Sequence, residues 1–163
     1  PDRYLAARRL PRTAPSMTMR QPYVLGRPGG ARWVVHPPED PYGDGYVYTV
    51  ATELHEDGMA AVTVAKVDGR CTGAEVIALP VFLDALAAGW EGWQGTRTWT
   101  SVGQELTLDA RHDGRGHVSI GVTLRQPGLD LNGTAWSARA VFVLEAGEEM
   151  TRLASDLGAL LRV

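Results

Sequence analysis

The sequence predicts an α+β fold: a single two-layer domain with an antiparallel sheet of about six to seven strands and two helices, in the order strands, helix, strands, helix. Three observations carry that expectation. Several stretches alternate apolar and polar residues, as strands with one covered face do, and short turn-rich links join them. Two other stretches repeat apolar residues every three or four positions, as an amphipathic helix does. These helices fall between and after the strands rather than after each one, which separates the order from an alternating α/β fold.

Taken along the chain, Pro1 to Ser16 holds Arg3, Arg8, Arg9 and Arg12 against one acid, Asp2. Leu5-Ala6-Ala7 is too short for the apolar core of a signal peptide. Residues 1–16 are therefore expected to be a disordered or spurious leader, with Met17 or Met19 as the true start and 17–163 as the domain. Residues 17–30, with Pro22, Pro28 and Gly29-Gly30, read as extended chain or loop. Ala31 to His36 is a short strand stopped by Pro37-Pro38, and Glu39 to Gly45 is a loop of turn-forming residues. Tyr46 to Glu53 alternates as a half-buried strand, Glu56-Asp57-Gly58 turns, and Met59 to Val67 returns with Val62 and Val64 on one face.

The first helix is expected over Leu79 to Trp93. Leu79, Phe82, Leu83, Leu86, Trp90 and Trp93 form one apolar stripe, Pro80 suits the first turn, and Gly89, Gly92 and Gly95 allow the exit. On that spacing Trp90 and Trp93 are buried anchors of the helix where the chain turns into the sheet. Thr96 to Val102 follows as a β-prone segment containing Trp99. Glu105 to Arg111 and His117 to Arg125 are strands joined by a tip at Asp113-Gly114-Arg115-Gly116. Thr134 to Glu145 is the next strand, with Trp136, Ala138, Ala140, Phe142 and Leu144 facing one way. Gly147 to Leu161 closes the chain as a helix striped by Met150, Leu153, Ala154, Leu157, Leu160 and Leu161. Glu148 and Glu149 lie in its first turn, where the helix dipole favours negative charge.

Composition narrows the classes of function. A hydrophobic fraction of 44% and a charged fraction of 21% describe a globular protein, and its 163 residues suit one domain. No apolar run reaches the roughly 20 residues of a membrane helix. The single cysteine, Cys71, excludes an internal disulfide framework and fits a reducing, cytoplasmic setting. Removing the leader's surplus of three positive charges takes the formal charge from −3 to −6. An acidic body disfavours nonspecific nucleic-acid binding and suits a basic protein partner.

Places that could hold chemistry each have a plainer reading. His112, Asp113 and His117 could bind a metal or act as acid and base, but they flank a hairpin tip without a third His or Cys ligand. Asp40 to Gly45 has part of a calcium-loop pattern, yet Tyr42 and Ala51 stand where oxygen ligands belong. Asn132-Gly133-Thr134 fits a glycosylation acceptor and, more simply, a turn. Cys71 has only Arg70 as a nearby cation. Glu91, Glu105 and Asp109 form no carboxylate pair, with Glu105 and Asp109 on the outer face of one strand. The five tryptophans could make a stacking platform, but Trp90, Trp93 and Trp136 lie on core stripes. No catalytic, cofactor-binding or metal-ligating residue is assigned, and no cofactor is expected.

Phe82 through Trp99, Leu106 to Ala110, His112-Asp113, Gly116-His117-Val118, the Trp136 strand and Glu145-Ala146-Gly147-Glu148-Glu149 together resemble a mainly actinobacterial domain-of-unknown-function family (DUF6228-like). The arrangement is also distantly similar to WapI-type immunity proteins, which neutralise a toxin of their own cell by binding it. That resemblance implies binding of a toxin; together with the acidic body, the missing catalytic constellation and the single cysteine, the expectation is a non-catalytic, cytoplasmic protein-binding module whose partner is a basic protein such as a toxin domain. The alternatives are a metal-dependent or acid/base enzyme using the His112–His117 hairpin, and nucleic-acid binding through the arginine-rich leader.

Overall fold

The computed structural model describes residues 20–70, 77–126 and 135–162. The chain forms β1 (Tyr23–Gly26), β2 (Arg32–Val35), β3 (Tyr48–Glu56), β4 (Met59–Asp68), α1 (Leu79–Ala88), β5 (Thr96–Thr100), β6 (Leu106–His112), β7 (His117–Arg125), β8 (Ser137–Glu145) and α2 (Glu148–Leu161). The class is α+β, as expected. The single sheet of six to seven strands is not what forms: the described residues make two four-stranded antiparallel sheets, ordered β1-β2-β3-β4 and β5-β6-β7-β8.

The physical reason for two sheets is the connection through α1. Within each sheet every strand pairs with its neighbour in sequence. Helix α1 interrupts that run between β4 and β5, so the second sheet starts afresh from its own hairpins. The additional strand is β1, inside the segment expected to be extended chain or loop. Its Tyr23, Val24 and Leu25 pair with Val35, Val34 and Trp33, and Gly26 at φ 106 lets the chain turn where a Cβ would strike Ala31 O.

One core fills the space between the inner faces and the helices. Trp33, Val35, Val50 and Leu54 come from the first sheet; Leu106, Leu108, Ile120, Val122 and Leu124 from the second. β3 and β4 approach β7 and β8, and Thr63 Oγ1 donates to Arg125 O at 2.8 Å across that contact. Helix α1 packs on α2 through Leu79, Leu83 and Leu86 against Met150, Leu153 and Leu157, all essentially inaccessible. Each such side chain contributes about 1.5–3 kcal/mol by leaving water. The inner face of the first sheet also carries a polar relay: Trp33 Nε1 donates to Thr52 Oγ1 at 2.8 Å, which donates to Val34 O at 3.0 Å. That relay satisfies every polar atom it buries.

Several local expectations change. Helix α1 ends at Ala88, because Gly89, at φ −84, caps it with its N–H on Ala85 O and Leu86 O. Trp90 therefore lies beyond the helix and is 57% exposed, which removes it from the core stripe. Trp136 precedes β8 and is also exposed, whereas Ala138 to Leu144 face inward in alternation as expected. Glu105 stands before β6 instead of on its outer face and is buried, with 2% exposure. Val62 and Val64 share a face, and it is the outer one. The 1–16 leader, Cys71 and Asn132-Gly133-Thr134 lie outside the described residues.

Candidate functional site

The Trp-Gly junction and the His112 hairpin, separate in sequence, meet in space. Trp93 is the centre of that meeting. The Arg97 guanidinium lies over its ring at 4.5 Å from the centroid, and the His112 ring approaches edge-on at 5.4 Å and 65°. A Cβ on Gly89 would come within 3.1 Å of the Trp93 ring, so that glycine is there for close approach. Gly92 instead supplies a positive φ of 126 and brings the backbone against His112. Arg97 also donates to Ala85 O at 3.3 Å, placing a cation on the C-terminal carbonyls of α1.

His112 is held in one tautomer. Its Nε2 lies 3.0 Å from Trp90 O, a pure acceptor, so Nε2 carries the hydrogen. Its Nδ1 accepts from the Gly114 N–H at 2.9 Å. Both ring nitrogens are thus spent on pinning the β6–β7 hairpin to the exit of α1. His117 points elsewhere, with Nδ1 3.4 Å from Asp113 Oδ2. The Asp113 carboxylate accepts from the backbone N–H groups of His117 and Arg115 at 3.0 and 2.6 Å, which hold it below the usual aspartate range. The three residues of the metal reading therefore serve two different jobs. Among the described residues no group of three His, Cys, Asp or Glu is placed to hold a metal ion. The cavity beside this junction, about 490 Å³, is bordered by Glu91, Trp93, Arg111 and His112.

The Asp40–Gly45 loop is likewise closed on itself. Asp40 accepts from Gly45, Gly43 and Tyr42 N–H groups at 2.8, 2.9 and 3.3 Å, and the first of these does most to lower its pKa. Glu145 plays the same part at α2: it accepts from Gly147, Glu148 and Glu149 N–H groups, and the Gly147 bond leads in pulling its pKa down. Glu149 returns the favour by accepting from Glu145 N–H at 2.6 Å. This reciprocal cap satisfies amides that a helix start leaves free.

The surface that sequence reasoning missed is the outer face of the first sheet. Register places Val24, Val34, Glu53 and Val62 in one row across the four strands, with Ala51 and Val64 in the next. Val24, Val62 and Val64 are 45%, 56% and 47% exposed. At the middle of the row, Glu53 sits between two imidazoles: His36 Nε2 is 2.7 Å from Oε2 and His55 Nε2 is 3.5 Å from Oε1. The His36 bond is the chief reason the Glu53 pKa is lowered; burial opposes it and His55 adds to it. The sequence signal was present in Glu53-Leu54-His55, whose alternate positions share a face. The position of His36, one pair beyond Val34 on the neighbouring strand, required the register.

An α+β protein with two antiparallel four-stranded meanders, and with no convergent metal-ligand set among the described residues, is the class that fold and surface define. The chain belongs to a family of unknown function (DUF6228), whose model matches residues 34–163. No curated protein and no solved structure matches it.

Proposed function

We propose that this protein is a non-catalytic protein-binding module that docks a basic protein partner on the outer face of its first sheet. The observation that carries this reading is the exposed pair Val62 and Val64 beside Glu53, with Val24 exposed at the far end of the row and Val34 buried between. Apolar side chains gathered on an outward sheet face mark interaction surfaces, whereas isolated ones do not. Charge selects the partner's sign: the chain is formally −3, and Glu53 places a carboxylate within the apolar patch. Opposite charge on the partner speeds encounter and rejects wrong partners. The resemblance to immunity proteins supports a specific form of the proposal, neutralisation of a toxin domain in the cytoplasm.

Co-expression with the products of adjacent genes tests both levels. A stable complex is expected, and Val62→Lys with Val64→Lys is expected to weaken it by tenfold or more, about 1.4 kcal/mol or above, while leaving the thermal midpoint unchanged. An unimpaired complex in the double variant would exclude this face. Absence of any complex with a neighbouring product would count against protein binding itself.

A further inference from the structure

Strands β1 and β8 are each the last strand of their sheet, and both border one cleft of about 520 Å³. Among the described residues each strand pairs on one side only: β1 with β2, β8 with β7. In an antiparallel edge strand every second residue turns its N–H and C=O away from its partner. Among the described residues, no backbone hydrogen bond outside the ladders engages Tyr23–Gly26 or Val141–Leu144. The cleft is therefore walled by two rows of backbone donors and acceptors. Its base is apolar, with Leu25, Phe142 and Leu153 nearly buried, and α2 lies along it. Those are the two requirements for strand addition: backbone groups that give affinity, and apolar places for alternate side chains.

Charge at the cleft selects what can enter. Glu149 is spent on the Glu145 N–H, and Arg152 is paired with Glu148. Arg27, at the end of β1, makes no ion pair among the described residues. Glu149 keeps its charge beside α2, while Arg27 leaves an unpaired positive charge at the β1 end of the cleft.

We infer that the β1–β8 cleft is a second binding site, which takes an extended segment of a partner protein as an added strand, with an acidic side chain of that segment at Arg27. The cleft meets the valine face at Val24, but Val62 and Val64 probe that face and Arg27 probes the cleft, so the two readings can fail independently.

The test uses the full chain and a random peptide library displayed on phage. Selection is expected to enrich peptides with alternating β-branched residues and an acid at one end. Added back as a synthetic peptide, the enriched sequence should slow amide exchange in Tyr23–Gly26 and Val141–Leu144. Arg27→Glu should weaken that peptide by roughly tenfold and shift a repeated selection toward a basic residue at the same end. No enrichment, peptides that protect amides elsewhere, or an Arg27→Glu variant with unchanged preference would each overturn the proposal. So would edge amides that are already slow without peptide: independent of concentration they mean the chain's own segment fills the cleft, and rising with concentration they mean a second copy does.

Discussion

Ser101→Ala should be among the more damaging small substitutions in this protein, because Glu105 is buried with no ion-pair partner among the described residues. Glu105 is 2% exposed and Ser101 3%. The Ser101 hydroxyl donates to Glu105 Oε2 at 2.8 Å and accepts from the Leu106 N–H at 3.1 Å. Removing it deletes a hydrogen bond to a charged acceptor, worth about 1.5–3 kcal/mol, and strands a backbone donor worth about 1 kcal/mol. A loss of about 2.5–4 kcal/mol follows, which for a domain of this size lowers the thermal midpoint by about 5–15 °C. The turn offers no easy relaxation: Gln104 holds φ at 63, and a Cβ on Gly103 would fall 2.0 Å from Glu105 Oε1. Urea denaturation of Ser101→Ala, Glu105→Ala and the double variant measures the coupling. Ser101→Ala should cost less in the Glu105→Ala background, since the stranded charge is gone. A single-variant loss under about 0.5 kcal/mol, or an identical loss in both backgrounds, would refute this account.

Two further outcomes concern pH. Burial first, then the negative charge of Asp156, pushes the Tyr23 phenol up to about 12, with Arg152 opposing. A folded pKa above the unfolded value near 10 means that stability present below pH 10 is lost as pH rises toward 12; Tyr23→Phe should remove that loss in alkaline denaturation, and should remove a late-titrating phenol from the absorbance titration of the wild type. On the acid side Asp40, Glu53, Asp113 and Glu145 all have lowered pKa values, so their contribution is present above the ordinary carboxylate range and is lost as pH falls through the lowered folded values. Glu145→Gln should flatten the acid limb of the stability curve and loosen the start of α2, and an unchanged acid limb would show that its three amide bonds contribute nothing to folding.

Elements were legible where the period was long and clean. The strand over His117–Arg125 agreed at both ends, and α2 agreed within one residue. Periodicity misled at Trp90, where spacing continued the helical stripe past a glycine that had already capped the helix. It was silent on β1, four residues too short to alternate convincingly. Nothing local signals that β4 and β5 belong to different sheets, since pairing is decided by what lies between them. The meeting of Trp93 with His112 was equally hidden, although both had been singled out. Their contact depends on β6 running antiparallel to β5 and ending beside the exit of α1.

The valine face shows why an alternation pattern identifies a shared face and leaves its direction open. On β4 the inward positions hold Ala61, Thr63 and Ala65, smaller than the outward Val62 and Val64. Hydrophobicity alone would turn the strand over. The register explains why it does not: Ala61 pairs with Leu54, which pairs with Trp33, so the inner face at that row already holds two of the largest buried side chains in the protein. A valine there would overpack the row, at a cost of about 1–3 kcal/mol. Lys66 and Ala60 also share the parity of the valines, and a buried lysine without a partner would cost more still. The core thus leaves its larger apolar residues on the outside of an edge strand, next to Glu53, where folding gains little from them. Burial of that face by another protein would recover about 25 cal/mol for each Å² covered. Residues that the core rejects on size, yet that remain apolar in water, are the physical basis for reading this face as a docking surface.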